Sequence, residues 1–261
     1  MSRPASPLQI KVPGGTLHAQ AWPGRSAAPP LVLLHDSLGS VAQWRGFPAA
    51  LRDATGRTVW AWDRLGYGRS TPRTTGLGPD LFDAEAETFF PAIMAAIGSD
   101  TGVLLGHSIG APMALTLAAR HPRWCRAVVS VSGQAFVHPM TLAAVRRAHA
   151  TFDAPERFAR LARFHGERTR WVLDSWPTLW FDPAFRDWSL DPVLPHVACP
   201  VLVIHGGRDE YGPAAFPERI VESVAGPASL WMPNDGGHFP HVTHADAVLA
   251  RVKAFLATHA M

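Results

Sequence analysis

The strongest constraint on the fold is the segment 106–110, G-H-S-I-G, which has the pattern G-x-S-x-G. An apolar run at 103–105 precedes it, and a helix-forming stretch at 111–120 follows it. A serine held on such a strand-to-helix turn has its hydroxyl lifted clear of the sheet, with neighbouring N–H groups free. The alternative is an ordinary glycine-rich turn in which the serine only caps a helix. The order of strand, turn and helix favours a nucleophilic Ser108.

The flanking sequence alternates between strand and helix patterns, which is typical of a parallel sheet with helices on both faces. The predicted strands are 8–12, 17–22, 31–34, 58–62, 102–105, 127–131, 200–204 and 229–232, and the predicted helices are 41–54, 80–97, 109–121, 214–224 and 245–259. The first two strands form a hairpin at one edge, and Pro91 is predicted to kink or divide its helix. We therefore predict an α/β fold with a mostly parallel central sheet flanked by helices.

The alternation stops between residues 136 and 196, where helical patterns rich in Phe and Trp replace it. An insertion that lies over the sheet would explain both the interruption and the apolar content. The predicted organisation is a core made of 1–135 and 197–261, with a helical cap at 136–196.

Composition excludes several classes of protein. With 261 residues, of which 47% are hydrophobic, the chain is long enough for one domain with a large core. The net charge is only +3 and the basic residues are scattered, so we expect no nucleic-acid partner. No run approaches the roughly 18 apolar residues of a membrane span, and residues 1–9 lack a signal-like apolar core, so we expect a cytoplasmic protein without membrane contact.

The two cysteines, Cys125 and Cys199, form no C-x-x-C pair. They are predicted to be reduced core residues that imply neither a metal site nor a disulfide framework. No metal and no cofactor are expected.

A serine nucleophile needs a general base, and the base needs an acid that orients it. His238 lies in a glycine-containing loop after the last predicted strand, and Asp209 follows the strand before it. Ligands of open α/β sheets bind at the carboxyl ends of the strands, so these residues are expected to meet Ser108 there. Glu210 is a competing acid, and Asp235 is predicted to stabilise its loop. Hydrogen-bonded structural roles are expected for His35, His107 and His205, which follow or end strands near the site. His241 is expected to line the entrance or to pack a helix start.

These motifs, in this order, resemble the α/β-hydrolase fold family over nearly the whole chain. The resemblance rests on the His35 loop, the D-x-x-G-x-G-x-S segment at 63–70, the serine turn, the insertion, and the G-x-x-D and G-G-H segments. It implies Ser108 as nucleophile, His238 as base and Asp209 as orienting acid. It also implies an oxyanion hole formed by the backbone N–H groups of Ser37 and Ile109.

One departure from the family pattern lies beside the implied oxyanion hole. Family members commonly have His-Gly where this chain has His35-Asp36. An ionised Asp36 aimed at the hole would oppose a developing oxyanion, so we expect its side chain to point away or to be hydrogen-bonded. Either Ser37 or Leu38 remains open as the donor in this loop.

The nucleophile narrows the reaction. Dehalogenases and epoxide hydrolases of this fold have Asp at the position of Ser108, so the resemblance implies acyl chemistry on an ester, thioester or lactone. A serine carboxylesterase that acts on small or medium acyl groups is the leading hypothesis. The alternatives are a C–C bond hydrolase of a ring-cleavage product, and a binding protein that holds a ligand without turnover.

The cap carries residues that would select the substrate. Trp176, Trp180 and Trp188, together with Trp171, are candidates to line an apolar pocket, although large aromatic residues also bury area simply by packing. The cap is also rich in arginine, and three of these residues recur at helical spacing beside apolar neighbours. The three are Arg157, Arg160 and Arg163. Such a face is usually only solvated; the sharper hypothesis is that it attracts an anionic substrate or carrier.

Overall fold

A single sheet of eight strands organises the chain in the computed structural model, which describes residues 6–259. In chain order the strands are β1 (Ser6–Val12), β2 (Gly15–Trp22), β3 (Leu31–Leu34), β4 (Val59–Trp62), β5 (Gly102–His107), β6 (Cys125–Val131), β7 (Val201–Ile204) and β8 (Ala228–Trp231). Their order across the sheet is β1-β2-β4-β3-β5-β6-β7-β8. Strand β2 is antiparallel to both of its neighbours, and every other pairing is parallel. The predicted fold class is confirmed.

The central strands are apolar because both faces of the sheet are covered. All four residues of β3 are buried, and they alternate between two core clusters. Leu31 and Leu33 face one helical layer, whereas Val32 and Leu34 face the other. This alternation follows from the period of two in a strand, and it explains why the pattern reads as a continuous apolar run.

Ten α-helices are present between residues 6 and 259. They are α1 (Phe47–Thr55), α2 (Leu81–Ala84), α3 (Phe90–Ile97), α4 (Gly110–Arg120), α5 (Pro139–Ala150), α6 (Pro155–His165), α7 (Thr169–Trp180), α8 (Ala215–Ser223), α9 (Pro240–Thr243) and α10 (Ala245–His259). Helices α1 and α10 pack together on one face of the sheet, while α3, α4 and α8 contribute to the core on the other.

Two predicted helices are interrupted. The stretch 41–54 is a short 3-10 helix, Val41–Trp44, followed by α1, because Arg45 turns the chain with a φ of 51°. The stretch 80–97 is divided into α2, a π-helical turn at Glu85–Phe89, and α3. The predicted division falls at the π-helical turn that precedes Pro91, where the carbonyl oxygen of Ala86 accepts from the ring of His121 at 2.8 Å.

The insertion between β6 and β7 is helical, as predicted. It contains α5, α6 and α7, with short 3-10 turns at Thr151–Asp153, Gly166–Arg168, Pro183–Phe185 and Leu194–His196. Side chains from α5 and α7, among them Val145 and Leu179, belong to the same core cluster as the sheet. The division into a core at 1–135 and 197–261 and a cap at 136–196 therefore stays a prediction, since one core runs through both.

No helix in the described part of the chain is long and apolar enough to cross a membrane. The two cysteines, which are far apart in sequence, lie close together in the fold. Cys125 and Cys199 are free thiols whose Sγ atoms are 3.9 Å apart.

Candidate active site

Ser108 occupies a strained turn between β5 and α4. Its φ is 54°, in the left-handed region that a residue with a side chain seldom adopts. A hydrogen bond from its N–H to the carbonyl oxygen of Val131, 2.9 Å long, fixes this backbone. The two flanking glycines are required by close approach: a Cβ on Gly106 would overlap the carbonyl oxygen of Gly110, and a Cβ on Gly110 would overlap that of Leu34. The G-x-S-x-G pattern therefore reflects backbone packing.

The structure brings the three residues predicted to act together into one hydrogen-bonded line. His238 Nε2 lies 2.9 Å from Ser108 Oγ, and His238 Nδ1 lies 2.9 and 2.8 Å from the two carboxylate oxygens of Asp209. All three side chains are buried. Asp209 follows β7 and His238 follows β8, so the carboxyl ends of neighbouring parallel strands supply both.

The charges in this line determine where the protons lie. Burial raises the pKa of Asp209, but His238 and the N–H of Tyr211 outweigh burial, and the pKa is lowered from its ordinary value. An ionised Asp209 can only accept, so the Nδ1 of His238 donates to it. The Nε2 atom is then free to accept from the hydroxyl of Ser108, as a general base must.

The competing carboxylates do not contact the imidazole of His238. Glu210 Oε2 accepts from the backbone N–H of His238 at 3.3 Å, and Asp235 lies 3.2 Å from the ring of His244. Geometry therefore favours Asp209 over Glu210 as the orienting acid.

Asp36 is hydrogen-bonded, as expected, and this determines which N–H groups stay free. Its Oδ1 accepts from the N–H of Leu38 at 2.9 Å, so Leu38 is already engaged. Among residues 6–259, the backbone N–H groups of Ser37 and Ile109 have no hydrogen-bond partner. Two unpaired N–H groups beside a nucleophile are what an oxyanion hole requires.

Three other histidines near the site hold backbone atoms in place. His35 Nε2 accepts from the N–H of Arg64 at 3.1 Å, and the guanidinium of Arg64 in turn donates to the carbonyl oxygens of His35 and Asp36. His107 Nε2 donates to the carbonyl oxygen of His238 at 2.9 Å, and His205 donates to that of Gly212 at 3.2 Å. These contacts agree with the structural roles expected for them.

A cavity of about 190 Å³ opens on Ser108 beneath the helical insertion. Its walls are mostly apolar, with a few polar groups near the serine. The lining residues are Asp36, Ser37, Leu38, Gln43, Ser108, Gln134, Thr141, Val145, Phe152, Leu161, Trp176, Trp180, Tyr211, His238 and Phe239.

Two of the predicted tryptophans line this cavity and two do not. Trp176 and Trp180 are part of its wall. The prediction for Trp188 was wrong: its ring stacks on Phe82 at 4.9 Å and on Phe185 at 5.1 Å, measured between centroids, outside the cavity. Trp171 packs edge-on against Tyr67.

Sequence reasoning missed two residues beside the reacting atoms. Gln134 Nε2 lies 3.4 Å from Ser108 Oγ, and the ring of Tyr211 lies against that of His238 with centroids 4.5 Å apart. Gln134 follows β6 at the carboxyl end of that strand. Ligands of open α/β sheets bind at this edge, so the argument that predicts Asp209 and His238 also indicates the loop of Gln134.

Comparison with known proteins gives the family. The model of the alpha/beta hydrolase fold family matches residues 29–171, and the chain belongs to that family. The human serine hydrolase BPHL is 28% identical over 216 residues, which cover 76% of this chain and 69% of that protein. The 2-hydroxymuconate semialdehyde hydrolase of Pseudomonas sp. (strain CF600) is 27% identical over 264 residues and covers 87% of both chains.

A solved structure extends the likeness of fold to the insertion. A membrane phospholipase A, described as a bacterial virulence factor, superposes with a TM-score of 0.80 over 97% of this chain and 86% of its own. The sequence identity is 22%, so this likeness concerns the fold alone. The chain is an α/β hydrolase whose relatives include serine hydrolases.

Proposed function

We propose that this protein is a serine hydrolase that cleaves small, neutral acyl esters through an acyl-enzyme intermediate. The observation that carries the proposal is the buried line from Ser108 through His238 to Asp209, which meets a mostly apolar cavity beside two unpaired backbone N–H groups. Nucleophile, base and oxyanion donors are thus within reach of one bound carbonyl group.

In the proposed reaction, Ser108 Oγ attacks the ester carbonyl carbon while His238 Nε2 takes the hydroxyl proton. The negative charge that develops on the carbonyl oxygen is stabilised by the N–H groups of Ser37 and Ile109, each typically worth ~3 kcal/mol in the transition state. Asp209 stabilises the imidazolium. The C–O bond then breaks, the alcohol leaves with the proton from His238, and water releases the acid by the same route.

The cavity supports a small acyl group. A volume of about 190 Å³ is below the ~300–1,000 Å³ of sites for drug-sized ligands.

The acyl group should also be uncharged. Among the described residues that line the cavity, none is Lys or Arg, and Asp36 is a carboxylate. We infer that any anionic part of a substrate, or an acidic carrier, binds outside the cavity on the exposed arginines of α6.

A C–C bond hydrolase is the second candidate. The likeness to a 2-hydroxymuconate semialdehyde hydrolase over 87% of both chains favours it, and the serine, histidine and aspartate of this site suit both reactions. A ligand-binding protein without turnover is the candidate from a different class.

A burst experiment separates these candidates. Stopped-flow hydrolysis of p-nitrophenyl acetate, butyrate and octanoate should give an equimolar burst of p-nitrophenolate with the wild type and none with Ser108→Ala. Ser175→Ala, at a buried serine of α7, is the matched control and should keep the burst.

Three outcomes would contradict the ester hydrolase. Undiminished turnover by Ser108→Ala would exclude the mechanism. Absence of a burst, with cleavage of a dienol ring-cleavage product instead, would support the C–C hydrolase. Saturable binding of an ester without turnover would support the binding protein.

A further inference from the structure

Gln134 is a buried polar residue that the reaction described above leaves unused. It is 3% exposed and lines the cavity that contains Ser108. Its Oε1 is fully enclosed and has no hydrogen-bond partner among the described residues. Buried polar groups are nearly always paired, so an unpaired amide oxygen in a substrate cavity requires an explanation.

The orientation of this amide follows from the site. The Nδ1 of His238 donates to Asp209, so the hydroxyl of Ser108 donates its only proton to Nε2 of His238. Ser108 Oγ can therefore only accept from Gln134. This requirement places Nε2 toward the serine, at 3.4 Å, and leaves Oε1 as the unpaired atom.

The loop that carries Gln134 is held in a fixed shape. Ser132 has a φ of 50°, which is strained for a residue with a side chain, and its N–H donates to the carbonyl oxygen of Ile204 at 2.8 Å. A Cβ on Gly133 would lie 2.7 Å from the Cβ of Ala111, so the loop packs tightly on α4. The carbonyl oxygen of Ala135 accepts from the N–H of Leu190 at 2.7 Å. Strain that the surroundings maintain is common at binding sites.

We propose that Gln134 is a specificity-determining residue that accepts a hydrogen bond from a hydroxyl group on the acyl part of the substrate. The acyl carbon becomes bonded to Ser108 Oγ, so its α and β carbons lie nearest to an amide that contacts this oxygen. The preferred substrates are then hydroxyacyl esters. This inference rests on the proposed ester hydrolase and names its substrate class.

The kinetic test uses three esters of one size class: ethyl 2-hydroxybutyrate, ethyl 2-methoxybutyrate and ethyl butyrate. The methoxy ester keeps the electron-withdrawing oxygen but cannot donate, so it controls for chemical activation. Wild-type kcat/KM, measured by pH-stat, should be at least tenfold higher for the hydroxy ester than for the methoxy ester. Gln134→Met, which is similar in length but has no amide, should lower the ratio of hydroxy to methoxy ester to near one, whatever its overall rate. A parallel set with ethyl 3-hydroxybutyrate tells the β position from the α position.

A binding measurement keeps the inference separate from the proposed function. Ser108→Ala cannot turn over, and calorimetry should show that it binds ethyl 2-hydroxybutyrate at least tenfold more tightly than ethyl 2-methoxybutyrate. Adding Gln134→Met should abolish the difference. If the protein binds these esters but does not hydrolyse them, the difference in binding should still be observed. Equal binding of the hydroxy and methoxy esters in both the 2-substituted and the 3-substituted set, or a preference that survives Gln134→Met, would overturn the inference.

Discussion

The carboxylate of Asp36 is paired with the imidazole of His107, with 3.4 Å between Oδ2 and Nδ1. The other nitrogen of His107 donates to the carbonyl oxygen of His238, so one imidazole connects the Asp36 loop, the Ser108 turn and the His238 loop. Burial raises the pKa of Asp36, but the hydrogen bond and charge of His107, with the N–H of Leu38, lower it well below its usual range. Asp36 is therefore an anion in the cavity wall.

Replacing this anion should relax selection against charged acyl groups. The wild type should hydrolyse monoethyl succinate at least tenfold less efficiently than ethyl butyrate, because a carboxylate in the cavity meets Asp36. Asp36→Asn should raise kcat/KM for the succinate ester about fivefold to tenfold, as expected for roughly 1 kcal/mol between two charges ~4 Å apart that water screens. Ethyl butyrate should change little, since Asn keeps an oxygen for the N–H of Leu38. Asp53→Asn, at an exposed position, is the control; equal changes for both esters would refute this role.

Asp209 and Glu210 should differ sharply in their effect on rate. Asp209→Asn removes the acceptor that holds the Nδ1 proton of His238, and a change of this kind lowers kcat by ~10⁴ in a well-studied serine protease. Glu210→Gln keeps an oxygen for the backbone N–H of His238, so a loss within about fivefold is expected, in line with one hydrogen bond. Steady-state kinetics with p-nitrophenyl butyrate compares them. A larger loss for Glu210→Gln would reverse the assignment.

The parts of this site that the sequence predicts are those determined by chain order. Parallel strands end at one edge, so Ser108, Asp209 and His238 were expected to meet. Side-chain direction within the insertion was not predictable, because the partners of Trp188 are chosen by packing: one of them, Phe82, comes from a distant part of the chain. The break at Arg45 was missed because one residue with positive φ leaves the helical pattern on both sides intact.

Trp176 lines the cavity and Trp188 does not, so replacing each by Ala tests whether cavity size sets the preferred acyl length. Trp176→Ala should enlarge the space beside Ser108 and favour longer acyl groups, since each buried CH₂ is worth ~0.8 kcal/mol. The ratio of kcat/KM for p-nitrophenyl octanoate over butyrate should rise on the order of tenfold. Trp188→Ala should lower the melting temperature through lost stacking on Phe82 and Phe185, and leave the ratio unchanged. A similar rise in both variants would show that the effect comes from loosening of the whole insertion.

Five buried histidines should make the fold sensitive to acid. They are His18, His35, His165, His205 and His241, and burial lowers the pKa of each from its ordinary 6.5. Above pH 6.5 these groups are neutral in both the folded and the unfolded chain and contribute no pH dependence. Below it the unfolded chain binds protons that the folded chain does not, so stability falls as pH drops from about 6.5 toward the folded pKa values.

His165 allows this acid effect to be measured at one position. Its Nδ1 accepts from the N–H of Gly68 at 3.0 Å, and its Nε2 donates to the carbonyl oxygen of Leu38 at 2.8 Å. Protonation would remove the acceptor. Urea unfolding between pH 7.5 and 5.5 should show a slope reduced by up to ~1.4 kcal/mol per pH unit in His165→Gln. His196→Gln, at an exposed position, controls for loss of a histidine. An unchanged slope in His165→Gln would exclude this contribution.

The arginines of α6 should attract the negatively charged part of a substrate that lies outside the cavity. Leu161 and His165 are the buried residues of this helix. Arg157, Arg160 and Arg163 are exposed and form no ion pair within the described residues. Two nearby arginines have structural contacts instead: Arg168 donates to the carbonyl oxygens of Gly68 and Ser70, and Arg170 lies over the ring of Phe158. The three exposed guanidinium groups of α6 are therefore available to an anionic carrier.

A pair of thioesters that share one acyl group tests this surface. Butyryl-CoA carries phosphates and S-butyryl-pantetheine carries none, so the ratio of their kcat/KM values isolates attraction to the anion. At low salt the ratio should exceed one and should fall as salt shortens the Debye length from ~30 Å at 0.01 M to ~8 Å at 0.15 M. Arg157→Gln with Arg160→Gln should lower it severalfold, whereas Arg126→Gln, at the opposite end of the strands, should not. A ratio that neither salt nor the double substitution changes would remove α6 from substrate recognition, and the cavity alone would then select the substrate.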